Sequence, residues 1–104
     1  MGTDTGFSHL MRPALYGSHH NIVNMTTEGT SKGRSMVCGN ICESTDILGS
    51  DLEVTGKIGD ILAIENAGAY GFSMSSNYNE RPRPAEVMLN GEGEDVLIRR
   101  RETF

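Results

Sequence analysis

Short strand-forming runs, interrupted by glycine, constrain the fold of this chain more than any other feature. The 104 residues include 13 glycines, and glycine weakens the interior of helices and strands because it loses the most conformational freedom on folding. No apolar pattern with the helical period is sustained along the chain. Many short strands separated by turns are typical of antiparallel β proteins. We therefore predict a mainly β fold, an antiparallel barrel or sandwich, with one short helix near the N-terminus.

The predicted elements follow one another closely. Helical turns are expected in residues 8–16, where Pro13 can open a turn but would interrupt a longer helix. Residues 26–34 form a polar loop, and residues 85–99 form a β-hairpin whose loop is residues 91–94. Further strands are predicted at residues 20–25, 35–42, 52–58 and 61–64, with the last two forming a pair.

The charge and composition exclude several classes of protein. A net charge of −5, from 14 acidic and 9 basic residues, argues against nucleic acid as a partner. The three arginines at 99–101 are interpreted as a solvated face or as partners for nearby carboxylates, and not as a phosphate-binding patch. No apolar stretch is long enough to span a membrane, and the N-terminus lacks the pattern of a secretory signal. We expect a cytoplasmic protein without a membrane partner.

Neither a disulfide nor a metal site is predicted. On an extended strand Cys38 and Cys42 would lie roughly 13 Å apart, which is outside disulfide reach, so both are expected to be free thiols. The adjacent His19 and His20 rarely reach one ion together, and a tetrahedral zinc site needs four ligands. The thiols therefore need another explanation.

Cys42 and Glu43 place a thiol and a carboxylate side by side. An ordinary thiol is mostly protonated at neutral pH, so it can donate a proton as a general acid, or act as a nucleophile if a base lies close. The neighbouring carboxylate can recognise the amino group of an amino-acid substrate. Alternatively, Cys42 is a buried and inert cysteine in a strand.

Arg12, Tyr16 and Tyr70 are candidates for binding a ligand. Arg12 and Tyr16 are four residues apart, so a helical turn presents a guanidinium and a phenol on the same side, an arrangement that suits a carboxylate. Tyr70 lies in the glycine-flanked run 68–71, where backbone can approach a ligand closely. Alternatively, Arg12 and Tyr16 lie on the surface of a helix without binding a ligand, and Tyr70 is a turn residue that closes the core.

Several motifs, in this order and spacing, resemble the C-terminal β domain of the diaminopimelate decarboxylase family of fold-type III pyridoxal-phosphate enzymes. The resemblance covers essentially the whole chain and rests on residues 12–16, 42–46, 68–71, 74–79 and 81–87. It implies a β domain like the C-terminal domain of alanine racemase. It also implies that residues 1–104 are one domain of a longer enzyme, whose (β/α)8 barrel carries the Schiff-base lysine and is absent from this chain.

The same resemblance implies roles for the candidate residues. The family releases carbon dioxide from meso-diaminopimelate to give L-lysine, with pyridoxal 5'-phosphate as cofactor and a homodimer that shares its active sites. Cys42 would be the proton donor, and Glu43 would bind the distal amino group of the substrate, both in the site of the partner subunit. Arg12 and Tyr16 would bind the distal carboxylate, and Tyr70 would contact both cofactor and substrate.

Glu43 favours diaminopimelate as the substrate, because ornithine and arginine decarboxylases usually have aspartate after the cysteine. A decarboxylase of ornithine, arginine or carboxynorspermidine is the alternative within this class. Another alternative is a non-catalytic β-domain module that pairs with an intact decarboxylase. We expect the isolated chain to be inactive, because Lys32 and Lys57 lie in polar, turn-like stretches that do not resemble a cofactor anchor.

Overall fold

Strands dominate the computed structural model, which describes residues 1–27 and 32–104. Within these residues lie one α-helix, α1 (Arg12–Tyr16), and one 3-10 turn (Tyr78–Glu80). The strands are β1 (Ile22–Asn24), β2 (Ser35–Cys38), β3 (Ile47–Leu52), β4 (Leu62–Ile64), β5 (Glu86–Leu89) and β6 (Asp95–Arg99). The predicted mainly β fold with one short helix near the N-terminus is confirmed.

The six strands form three two-stranded antiparallel sheets. β1 pairs with β4, β2 with β3, and β5 with β6. The β2–β3 pair is irregular, because its register shifts on both sides of Val37. The N-terminal segment adds a parallel bridge between Gly2 and Cys38, which joins the start of the chain to β2.

Proline and glycine set the limits of α1. Pro13 lies in the first turn, where its missing N–H costs nothing because that group has no partner within a helix. Gly17 ends the helix in the left-handed conformation, with φ 65°, and its N–H donates to the carbonyl of Pro13. The helix is therefore a single short turn. In the described part of the chain, no helix is long and apolar enough to cross a membrane.

The hydrophobic core is small and draws on β1, β2 and β3. Its buried members are Leu10, Ile22, Val37, Leu48, Leu52 and Val54. Leu62 and Ile64 of β4 pack against this cluster and are partly buried. Each such apolar side chain contributes about 1.5–3 kcal/mol when it is fully removed from water. The core thus holds the first three strands and β4 together.

Two predictions for the middle of the chain are wrong. The strand expected at 52–58 lies earlier, as β3, and residues 53–58 are irregular. β3 contains Gly49, Ser50 and Asp51, which are uncommon in strands. The sequence of β3 therefore does not predict a strand. The expected pairing of 52–58 with 61–64 is also wrong, because β4 pairs with β1. Residues 28–31 of the loop expected at 26–34 lie outside the described residues.

The hairpin predicted at residues 85–99 is confirmed as β5 and β6. The side chain of Asn90 organises its loop, because Oδ1 accepts hydrogen bonds from the N–H groups of Glu92 and Glu94 at 2.9 and 3.0 Å. No strand residue of this hairpin is buried. Its apolar side chains are 40–73% exposed: Val87, Met88, Leu89, Val96, Leu97 and Ile98.

Two arginines attach the hairpin to the segment before it. Their guanidinium carbons lie 4.0 Å (Arg83) and 4.2 Å (Arg99) from the centroid of the Phe72 ring. Arg83 also donates to the Ser75 hydroxyl at 3.0 Å, and Arg99 pairs with Glu86 at 2.6 Å. These contacts fix the hairpin beside the loop that carries Tyr70.

Replacing Leu48 by alanine tests the position of the core. Leu48 is 1% exposed, so truncation should lower the free energy of unfolding by about 2–5 kcal/mol. Leu89→Ala is the matched control, because Leu89 is 73% exposed and its loss should change stability by less than about 1 kcal/mol. Urea unfolding of the purified chain, followed by circular dichroism, measures both. Equal effects would contradict the assigned core.

Candidate functional site

Arg12 lies against two tyrosine rings. Its guanidinium carbon is 5.9 Å from the centroid of Tyr16 and 5.0 Å from that of Tyr70. The tyrosines are 62% and 55% exposed, and within residues 1–27 and 32–104 no carboxylate pairs with Arg12. A guanidinium held by its face on aromatic rings can still donate along its edge. These three predicted residues therefore come together and present donors suited to a carboxylate.

The loop that carries Cys42 and Glu43 joins β2 to β3. The N–H of Gly39 donates to the carbonyl of Asp46 at 3.0 Å, and the N–H of Asp46 donates to the carbonyl of Glu43 at 3.1 Å. Cys42 is exposed and Glu43 is half-buried. The thiol thus reaches solvent, as a proton donor must if it is to meet a substrate.

A buried carboxylate holds this loop in place. Asp46 is 5% exposed, and its side chain accepts hydrogen bonds from the N–H of Phe7 at 2.6 Å and the N–H of Ile41 at 3.0 Å. A Cβ on Gly39 would collide with the same carboxylate, so glycine permits this close approach. Asp46 therefore ties the start of the loop to the N-terminal segment.

Several hydrogen bonds keep the carboxylate of Glu43 charged. Oε1 accepts from the N–H of Thr45 at 3.2 Å and from its hydroxyl at 3.0 Å, and Oε2 accepts from the hydroxyl of Tyr78 at 3.0 Å. The bonds from Thr45 first, and then the bond from Tyr78, lower the pKa of Glu43. The side chain is consequently an anion at neutral pH and can bind an ammonium group.

Sequence reasoning gave no role to Tyr78 or Asn79. Tyr78 bonds Glu43, and Oδ1 of Asn79 accepts a hydrogen bond from the N–H of Cys42 at 3.4 Å. Both residues lie in the motif 74–79, so the motif was a usable signal. Asp46 was part of the motif 42–46, yet its structural role was not predicted either.

The candidate residues form two clusters. Arg12, Tyr16 and Tyr70 make one, and Cys42 and Glu43 make the other. In the parts of the chain that the structure describes, no hydrogen bond, ion pair or ring contact joins them.

The cysteines and the buried histidine form neither a disulfide nor a metal site among the described residues. Cys38 and Cys42 are free thiols. Buried His20 meets the carbonyl of Glu65 through Nδ1 at 3.0 Å. Across the described ranges, no group of three or more His, Cys, Asp or Glu side chains could hold a metal ion.

Residues 1–68 match the family described as pyridoxal-dependent decarboxylase, C-terminal sheet domain. This match covers more than half of the chain, which therefore belongs to that family. It includes Arg12, Tyr16, Cys42 and Glu43, whereas Tyr70 lies beyond it.

Similar curated proteins include diaminopimelate decarboxylases from archaea and bacteria. The protein of Methanothermobacter thermautotrophicus is 50% identical over an alignment of 105 residues that covers 99% of this chain and 24% of that protein. The protein of Haemophilus influenzae is 49% identical over an alignment of 103 residues that covers 98% of this chain and 25% of that protein. The chain spans about a quarter of the length of the curated relatives it matches.

Solved structures show the same fold. The crystal structure of diaminopimelate decarboxylase from Methanocaldococcus jannaschii superposes with a TM-score of 0.87 and 42% identity, over 98% of this chain and 23% of that one. The enzyme from Helicobacter pylori, complexed with L-lysine, gives a TM-score of 0.86 and 38% identity, over 98% of this chain and 25% of that one. The predicted fold class is therefore confirmed by comparison as well.

Removing the carboxylate of Asp46 should loosen the loop of Cys42 and Glu43. Asp46→Ala leaves two N–H groups without their acceptor, and each loss costs about 1–3 kcal/mol. We expect lower stability and faster hydrogen exchange at the amides of Phe7 and Ile41, measured by NMR. Asp4→Ala is the control, because Asp4 is exposed. Unchanged exchange at both amides in Asp46→Ala would show that the carboxylate does not hold the loop.

Proposed function

We propose that this chain is the C-terminal β domain of a diaminopimelate decarboxylase, which converts meso-diaminopimelate to L-lysine and carbon dioxide. Identity near 50% along nearly the whole chain supports this substrate. The structural observation that carries the proposal is the pair of an exposed thiol, Cys42, and a carboxylate, Glu43, that is held by hydrogen bonds from Thr45 and Tyr78. Such a pair can supply a proton and bind an amino group at one place.

Each of the two clusters has a role in the proposed reaction. Cys42 donates the proton to the carbon that has lost carbon dioxide, and Glu43 binds the distal ammonium of the substrate. Arg12 and Tyr16 bind the distal carboxylate, with Arg12 held by its ring contacts. Tyr70 contacts substrate and cofactor. Binding both distal charges selects the substrate, because an analogue lacking one charge leaves a site group unpaired.

The family implies pyridoxal 5'-phosphate as cofactor, and the residues of this chain fit a cofactor supplied by other polypeptide. Tyr70 is 55% exposed and Cys42 is exposed, so both side chains can meet a group carried outside these residues. When bound, the cofactor supplies an electron sink for the charge left by decarboxylation. Its anchoring lysine is proposed to lie in a (β/α)8 barrel beyond the 104 residues.

A homodimer with shared active sites accounts for the two clusters. In this proposal Cys42 and Glu43 serve the site of the partner subunit, while Tyr70 contacts the cofactor of its own subunit. Among the described residues, no hydrogen bond, ion pair or ring contact joins the two clusters, which supports such a division. The cytoplasmic location expected from the sequence stays a prediction.

A chimera tests the role of Cys42. The matching segment of the Methanothermobacter enzyme is replaced by this chain, and lysine release from meso-diaminopimelate is measured. Cys42→Ala should lower kcat by about 100-fold or more, because it removes a general acid. Cys38→Ala is the matched control and should retain activity, since among the described residues the thiol of Cys38 donates its hydrogen bond to the carbonyl of Met1.

The unmodified chain alone, given pyridoxal phosphate, should release no lysine. An inactive but folded chimera would contradict the proposed activity and would favour a non-catalytic module. Equal activity of Cys42→Ala and Cys38→Ala would remove Cys42 as the proton donor.

A substrate panel tests the role of Arg12. The chimera should prefer meso-diaminopimelate to ornithine, arginine and carboxynorspermidine. Arg12→Ala should reduce kcat/KM for meso-diaminopimelate by about tenfold or more, as expected for a lost charged hydrogen bond, and leave the slow turnover of ornithine unchanged. Arg100→Ala, an exposed arginine of the C-terminal segment, is the control. Preference for ornithine would instead assign the chain to a related decarboxylase.

A further inference from the structure

The 3-10 turn Tyr78–Glu80 faces the Cys42–Glu43 pair residue by residue. The hydroxyl of Tyr78 donates to Oε2 of Glu43 at 3.0 Å. Oδ1 of Asn79 accepts from the N–H of Cys42 at 3.4 Å. Tyr78 and Asn79 thus bind the neighbouring residues Glu43 and Cys42, although the two segments are 35 or more positions apart in the sequence.

The two oxygens of the Glu43 carboxylate have partners from different parts of the chain. Oε1 is bound within its own loop by Thr45, whereas Oε2 is bound by Tyr78. The bonds from Thr45 reach only Oε1 and leave Oε2 without a partner from the loop. The bond from a distant element fixes the plane in which the second oxygen meets a ligand.

Tyr78 is itself held in place. Its ring makes an edge-to-face contact with Phe7, with centroids 6.1 Å apart and planes at 67°, and its N–H donates to the Ser76 hydroxyl at 3.3 Å. The hydrogen bond with Glu43 and the charge of that carboxylate raise the pKa of Tyr78, and the nearby Cys42 adds to the rise. The phenol therefore remains protonated, and a donor, at neutral pH.

The backbone of the turn is built around Asn79. Asn79 has φ 60° and Glu80 has φ 57°, so two consecutive residues are left-handed, a conformation that asparagine tolerates better than most residues. The turn is anchored on either side, because Asn77 donates to the carbonyl of Arg81 at 3.1 Å and Arg81 donates to the carbonyl of Asn40 at 3.4 Å. The second of these bonds joins the turn to the loop of Cys42.

We propose that Tyr78 and Asn79 are positioning residues for the Cys42–Glu43 pair, with Tyr78 orienting the carboxylate that receives the distal ammonium and Asn79 fixing the backbone that carries the thiol. This inference rests on the proposed function. It assigns different effects to the two residues: Tyr78 governs recognition of the distal amino group, and Asn79 governs the placement of the proton donor.

The first test needs no cofactor and uses the purified 104-residue chain. NMR titration of the Glu43 side chain, labelled with carbon-13, should show a pKa below the ordinary value in the wild type. Tyr78→Phe removes one of the bonds that favour the charged form, so the pKa of Glu43 should rise toward its ordinary value. Glu80→Gln is the control on the same turn and should leave the titration of Glu43 unchanged.

The second test uses the chimera and two substrates, meso-diaminopimelate and 2-aminopimelate, which lacks the distal amino group. Tyr78→Phe should lower kcat/KM for meso-diaminopimelate by about tenfold, as expected for a lost hydrogen bond to a charged group, and leave 2-aminopimelate unchanged. In a Glu43→Gln background, Tyr78→Phe should have no further effect. Asn79→Gly, which retains left-handed freedom, should lower kcat for both substrates equally.

The outcomes separate this inference from the proposed function. A chimera that releases no lysine would overturn the function, and the titration of Glu43 would then still decide whether Tyr78 orients the carboxylate. An unchanged titration in Tyr78→Phe overturns the orienting role. Equal losses on both substrates in Tyr78→Phe overturn it as well, because they indicate a general structural role. Unchanged kcat in Asn79→Gly overturns the role of Asn79.

Discussion

The carboxylate of Asp46 is the contact on which the geometry of the candidate site depends. It fixes Ile41 at the start of the loop and Phe7 in the N-terminal segment. The ring of Phe7 contacts Tyr78, and Tyr78 bonds Glu43, which returns to the same loop. These contacts form a closed circuit, so that displacement of one member moves the others. Because the carboxylate is buried, water cannot easily replace its bonds.

Local patterns predicted those parts of the fold that local chemistry determines. Pro13 and Gly17 limit α1 by their own backbone restrictions, and the loop with Asn90 determines the hairpin. β3 could not be predicted in this way, because Gly49, Ser50 and Asp51 have low strand propensity. Leu48 and Leu52 are identified as core residues only by their packing in the folded chain. The pairing of β4 with β1 likewise depends on a core that assembles distant segments.

The candidate site was predictable to the extent that its residues carry reactive groups in motifs. Arg12 and Tyr16 follow from helical spacing, and the structure adds Tyr70 to them through ring contacts. The supporting residues were not predictable from spacing, since Tyr78 and Glu43 are 35 positions apart. The motif 74–79 marks Tyr78 as a candidate, but only the folded chain identifies Glu43 as its partner.

The exposed hairpin of β5 and β6 has a consequence for how this polypeptide behaves in solution. Six apolar side chains on two adjoining strands face water. Exposed apolar patches and unpaired strand edges both favour self-association. The loop between the strands is acidic, with Glu92 and Glu94, and repulsion between such tips opposes stacking of copies. The exposed apolar side chains of β5 and β6 therefore favour association, and the acidic loop opposes it. High ionic strength screens the charges of the loop and would favour aggregation.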